Sequence, residues 1–208
     1  MKSFLPFYFL LLLLSCNDRS NNKPAAKNVI KKAPSGVKAQ IPNPFSPVDI
    51  SPMDISYFPA DYPIQKMSKQ ITEPPVIRVI YSRPHRQGRK IFGSLLHYGE
   101  PWRLGANEAT EIELFQPISI QNKKIPKGRY VLYCIPYKDH WTIIFNSNIY
   151  SWGLKPDPKK DLYKFDVPVE ASTLLIEYFT MTFEKIDDGS INLLMTWDDV
   201  LARLPIKI

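Results

Sequence analysis

The stretch TLLIEYFTMTFEKIDDGSINLLMTW, residues 173–197, decides the fold. It reads as strand segments over 173–179 and 180–186, a hairpin turn at Asp187-Asp188-Gly189-Ser190, and a further strand over 191–197. Working outward, residues 76–81 form another strand. In Thr110-Glu111-Ile112-Glu113-Leu114-Phe115 the acids alternate with Thr110, Ile112 and Leu114, the pattern of a half-buried strand. Residues 118–125 hold a strand pair around Asn122, and Pro126-Lys127-Gly128 turns into a strand over 129–135. A turn over 137–140, where Asp139 suits the bend, leads into 141–146. Strands over 163–167 and 200–206 complete the series. Nine or so short strands without an amphipathic helix predict an all-β fold over 71–208, an antiparallel sandwich of jelly-roll type.

Composition agrees with a folded chain. The 208 residues are 44% hydrophobic, 23% charged and 12% aromatic, a globular balance that excludes whole-chain disorder and a fibrous protein. Proline is the exception: ten of the 20 prolines fall between Pro24 and Pro75, so the excess is local. The net charge of +7 is local too. Residues 17–40 carry six cations against one acid, 41–70 two against three, and 71–208 eighteen against sixteen. The folded part is nearly neutral, which argues against a nucleic-acid partner.

The N-terminal part divides into three. Residues 1–16, MKSFLPFYFLLLLLSC, combine Lys2 with an apolar run over 4–14, shorter than the roughly 20 residues a spanning helix needs. The end, Leu13-Leu14-Ser15-Cys16, resembles the lipobox of bacterial lipoproteins, which implies a signal peptide over 1–15 and acyl chains, palmitate among them, on Cys16. The expected partner is therefore the lipid bilayer, and the expected location the cell envelope, with the outer membrane as the lipoprotein's site. Residues 16–40 lack aromatics and read as a disordered tether, its cations suited to anionic head groups. Residues 41–70 keep the prolines, which forbid regular structure, but add Phe45, Ile50, Met53, Ile55, Tyr57 and Phe58. Such side chains are costly to leave in water, so an extended arm packed on the module is expected.

Chemistry concentrates in one segment. Residues 82–109, SRPHRQGRKIFGSLLHYGEPWRLGANEA, form a 28-residue connection between strands, long enough to need a reason. Arg83, Arg89 and Arg103 offer planar forks for carboxylate, phosphate or sugar hydroxyls. Trp102 offers a flat face and an indole donor, and Asn107, Glu108 and Thr110 add short polar groups. The competing reading has the arginines paired with local acids and Trp102 in the core. Other constellations are sparse. His85, His97 and His140 lack the close spacing of metal ligands, so no metal and no cofactor is expected. No G-x-S-x-G elbow or phosphate-binding glycine pattern occurs. Cys134 lies in the strand over 129–135 and reads as a small, inert core residue.

Several runs resemble the bacterial family called domain of unknown function 2911. They include Tyr81-Ser82-Arg83-Pro84, Gly88-Arg89-Lys90-Ile91-Phe92-Gly93 and, most specifically, Trp102-Arg103-Leu104-Gly105-Ala106-Asn107-Glu108-Ala109-Thr110. Pro126-Lys127-Gly128-Arg129-Tyr130, Trp152-Gly153 and Phe179-Thr180-Met181-Thr182-Phe183 add to the likeness. Ser51-Pro52-Met53-Asp54 is similar to the version in a lipoprotein branch. The resemblance implies a β-rich envelope protein and carries no activity. The expected function is a non-enzymatic, membrane-anchored module binding a polar or carbohydrate-like ligand through residues 82–110. The alternatives are a hydrolase of an envelope polymer, with Glu100, Glu108 or His97 as acid and base, and a structural or assembly lipoprotein.

Overall fold

In a computed structural model, residues 48–208 are described. The signal peptide, acylated Cys16 and tether expected over 1–40, and the start of the arm, lie outside the described residues. In chain order the elements are β1 (Met53–Phe58), α1 (Tyr62–Met67), β2 (Ile77–Ser82), β3 (Thr110–Leu114), β4 (Ile118–Ile120), β5 (Lys123–Ile125), β6 (Gly128–Pro136), β7 (His140–Asn146), β8 (Asp161–Lys185) and β9 (Ser190–Lys207). All pairings are antiparallel, and the strand order is β1-β2-β3-β6-β7-β8-β9-β4-β5. The all-β expectation holds: the described residues form nine strands, one short α-helix and a single 3-10 turn at Pro158–Lys160. Among the described residues no helix is long and apolar enough to cross a membrane.

Two layers arise because β8 changes partner along its length. Its first part pairs with β7 up to Pro168, and the rest pairs with β9 from Val169 onward. The register shifts twice, between Ala171 and Ile176 and between Ile176 and Thr180. Separate strands were expected over 163–167, 173–179 and 180–186. They are one strand because no turn interrupts them; bulges bend the chain from one layer to the other instead. Residues 191–197 and 200–206 likewise fuse into β9, with the left-handed Asp198 (φ 56°) at the join. The expected turn at 187–190 is present, with the Asp187 amide donating to the Ser190 carbonyl at 3.1 Å. The β4–β5 hairpin turns on Gln121 and Asn122, both at positive φ (47° and 64°), the two-residue geometry that matches strand twist.

The alternating side chains meet between the layers. Ile77, Val79 and Tyr81 of β2 and Trp141, Ile143 and Phe145 of β7 join Phe179, Met181, Leu193 and Trp197 in one buried cluster. Cys134 belongs to it, and burial drives its thiol pKa well up, consistent with an inert core residue. The outer face of β6–β7 is also covered. Asp161 accepts from the Tyr133 hydroxyl at 2.9 Å, from Asn146 Nδ2 at 2.8 Å and from Lys164 Nζ at 2.9 Å.

The arm departs from expectation. Proline was to exclude regular structure over 41–70, yet residues 53–58 form an edge strand paired with β2 from Met53↔Ser82 to Phe58↔Ile77. The reason is local: Pro52 and Pro59 bracket six residues free of proline, so that stretch keeps its donors. Pro63 then sits in the first turn of α1, where a missing N–H costs nothing.

Between Glu177 and Met181 the free edge of β8 is satisfied by β1, β2 and the residues that follow β2. The Arg86 amide donates to the Glu177 carbonyl (2.7 Å) and the Phe179 amide to the Pro84 carbonyl (3.0 Å). The Met181 amide donates to the Tyr81 hydroxyl (2.9 Å), while the Tyr81 and Ser56 hydroxyls donate to the Met181 carbonyl (3.1 and 2.6 Å). This part of an edge that would otherwise invite another chain is closed from within.

Candidate functional site

The β2–β3 connection is held at several points. Residues 84–86 run along β8, and the His85 ring stacks on Tyr178 with centroids 4.4 Å apart. His85 Nε2 lies 3.1 Å from Glu177, and Arg86 Nη1 lies 3.5 Å from the same carboxylate. Arg86 Nε donates to Asp198 Oδ1 at 2.6 Å, and the other Asp198 oxygen accepts from the buried Ile91 amide at 3.0 Å. Asp198, only 4% exposed, thus ties two points of the connection to β9.

Farther along, Trp102 takes the place beside β6 that β3 has not reached. Its amide donates to the Cys134 carbonyl at 2.7 Å, and the Cys134 amide donates back at 2.8 Å. The ring packs among Phe92, Trp141, Phe179 and Trp197, with centroids 4.8 to 6.1 Å away, and Nε1 donates to the Gly105 carbonyl at 3.1 Å. Gly105 is confined: a Cβ there would stand 3.0 Å from the Ser82 carbonyl oxygen and 3.2 Å from Thr110 Oγ1. Thr110 Oγ1 donates to the Leu104 carbonyl at 2.7 Å and closes this turn.

Beneath the connection lies a cavity of about 510 Å³, within the range of small-molecule sites. Four separated segments build it. Ile50 and Ser51 come from the arm, Gly153 and Leu154 from the β7–β8 connection, and Trp197 from β9. The β2–β3 connection supplies the rest, including His85, Gln87, Arg89, Leu95, Leu96 and Arg103. Gly153 adopts φ 82°, and a Cβ there would meet Ala109 at 3.0 Å, so a glycine brings the β7–β8 connection against the Trp102–Thr110 run. A second hollow of about 380 Å³ shares Ile50, His85 and Gln87 with the first and adds Asp49, Arg83 and Tyr178.

The expected site residues separate into groups. Arg89, Trp102 and Arg103 line the larger cavity. Trp102, 6% exposed with its indole N–H bonded, contributes to the floor and belongs to the core, as the competing reading had it. Arg83 is occupied, with Nη1 3.2 Å from Asp54, Nη2 donating to Thr180 Oγ1 at 3.0 Å and Nε to the Phe179 carbonyl at 3.3 Å. Asn107 (φ 58°) donates to Asp49 and to the Ser51 carbonyl and holds the arm. Glu108 lines a different, smaller hollow with Met53, Glu111 and Arg129. Thr110 is fully buried. Glu100, Glu108 and His97 are exposed and none lines the cavity. Among the described residues no group of three His, Cys, Asp or Glu is placed to hold a metal ion.

Residue type alone does not mark Ser51, Gly153 or Leu154 as site residues. Yet Ser51-Pro52-Met53-Asp54 and Trp152-Gly153 both stood among the family-like runs, and that likeness was the available signal.

Electrostatics set the cavity apart. Five of the seven arginines among the described residues, Arg78, Arg83, Arg86, Arg129 and Arg203, pair with carboxylates. The other two are Arg89 and Arg103. Arg89 donates to the carbonyls of Arg86 and His85, and Arg103 to those of Asn107 and Trp152. Partial burial lowers the Arg103 pKa from its ordinary value.

An antiparallel sandwich with a hollow under one long inter-strand connection, furnished with two arginines that have no carboxylate partner among the described residues, defines the class of this protein: a β-module with a concave site. A family model described as "Protein of unknown function (DUF2911)" matches residues 63–206, and the chain belongs to that family. No curated protein and no solved structure matches it.

Proposed function

We propose that the protein is a lipid-anchored, non-enzymatic module of the bacterial cell envelope that holds a polar, carbohydrate-like ligand beneath residues 83–109. The observation that carries this reading is the convergence of four separated segments on one hollow with Arg89 and Arg103 in its wall. The scatter of Glu100, Glu108 and His97 outside that hollow favours binding over hydrolysis. The lipobox-like Leu13-Leu14-Ser15-Cys16 supports anchoring through acylated Cys16, and several acyl chains exceed the marginal affinity of one.

The test fills the hollow. Ala106, a small lining residue, is replaced by Trp in the full chain, and capture of envelope glycan is compared with the parent at equal thermal midpoint. Loss of capture in Ala106→Trp is expected, and undiminished capture excludes this cavity as the site. Anchoring is checked separately by feeding cells labelled palmitate: the parent should carry the label and Cys16→Ala should not. An unlabelled parent, or label retained in Cys16→Ala, refutes the acyl anchor at Cys16.

A further inference from the structure

The balance of charge in the cavity wall narrows the ligand's chemistry. Among the described residues no carboxylate lines the larger cavity. Asp49 lies in the adjoining hollow, where its oxygens accept from the Ser51 amide and from Asn107. Glu177 is engaged with His85 and Arg86 and lines neither hollow. Both cavity arginines are instead steadied by neutral backbone carbonyls, which fix a guanidinium without cancelling its charge.

Arg103 is the more telling. Only its Nη1 has protein acceptors, so the Nε–Nη2 edge has none among the described residues. That edge presents two parallel N–H groups, the fork that grips an oxyanion bidentately. No buried side-chain polar atom among the described residues lacks a partner, so the edge is open to solvent. Arg89 spends Nε and Nη2 on carbonyls and keeps Nη1. Ser51, His85 and Gln87 add neutral or paired polar groups to the wall, and Ile50, Leu95 and Leu154, exposed at 72%, 45% and 65%, give it an apolar share. Partial desolvation beside such side chains strengthens any charge pair formed there.

We propose that the cavity takes an organic oxyanion, a carboxylate or phosphate on a partly apolar body, gripped by the open edge of Arg103 with Arg89 as the second cation. This rests on the binding reading above and specifies the ligand class. A neutral ligand would leave two cations uncompensated in a partly apolar wall. An acidic one supplies the carboxylate that the other five arginines find within the protein.

The experiment titrates the full chain with matched probes, following amide resonances of Trp102 and Gly105. Glucuronate is set against glucose, and phenylacetate against phenylacetamide, with phenyl phosphate distinguishing phosphate from carboxylate recognition. Each acid should bind at least about tenfold tighter than its neutral counterpart, and Arg103→Gln should remove roughly tenfold of that preference. Arg103→Lys, which keeps charge without the fork, should fall between. Equal binding of acids and neutral counterparts by the unmodified chain overturns the oxyanion assignment while leaving the binding reading intact. No binding of any probe at millimolar concentration also overturns the assignment, and glycan capture then decides the binding reading independently. The comparison on the unmodified protein stands even if a variant fails to fold.

Discussion

Replacing Asp198 should loosen both the scaffold and the roof of the cavity. The residue is 4% exposed, and its carboxylate holds Arg86 Nε at 2.6 Å and the Ile91 amide at 3.0 Å. Asp198→Ala leaves Arg86 with only the 3.5 Å contact to Glu177, and it orphans an amide in a fully buried residue. Breaking a buried ion pair on one side costs about 3–5 kcal/mol. The guanidinium is 18% exposed, and that residual hydration places the loss at the lower end, about 3 kcal/mol. For a domain of this size the midpoint should fall by roughly 6–12 °C. Asp198→Asn retains the left-handed backbone that asparagine tolerates, but it replaces one acceptor with a donor. It should therefore cost less than alanine while still losing either Arg86 or Ile91. Urea denaturation measures both, and pairing each with Arg86→Met completes a cycle. The double variant should be more stable than the sum of the single losses implies, because the uncompensated guanidinium is gone. Hydrogen exchange at Ile91 should accelerate in both Asp198 variants. A loss below about 1 kcal/mol with Ile91 still protected would refute the clasp argument.

Tyr81→Phe removes the hydroxyl that accepts from the Met181 amide and donates to its carbonyl, and should cost about 1–3 kcal/mol in urea denaturation; a change under about 0.5 kcal/mol would mean the β8 edge is satisfied some other way. Burial would raise the Asp161 pKa, but hydrogen bonds from Asn146, Lys164 and Tyr133 outweigh it and leave the folded value below the ordinary one. Its stabilising contribution is therefore complete above the unfolded value of about 3.9 and is lost as pH falls through the lower folded value. Asp161→Asn should flatten that acid limb of the stability profile, and an unchanged limb would exclude Asp161 as its source.

How far the sequence spoke can be judged residue by residue. Alternation in Thr110–Leu114 and the turn at 187–190 depend on neighbours a few positions apart, so periodicity and turn chemistry revealed them. The long β8 was hidden because its bends are bulges, and bulges leave no glycine or proline signature at Ala171 or Ile176. The edge strand β1 was hidden by the prolines around it, which describe the flanks and not the six residues between. For the site, residue type marked Arg89 and Arg103 as available forks. Whether a fork is spent depends on acids distant in sequence: Arg83 meets Asp54, Arg86 meets Asp198, and Arg103 meets none among the described residues. Trp102 is the same lesson in apolar form, since its partners Trp141, Phe179 and Trp197 come from three other strands.

The stitching of residues 84–86 onto β8 has a consequence for how this hollow can change over time. Those residues hold the two layers together and also supply His85 to the cavity wall, so altering them trades architecture against affinity. Ile50, Leu95 and Leu154 carry no such double duty. Variation in what the hollow accepts should accumulate at that outer lip, while the seam beneath stays constant from one relative to the next.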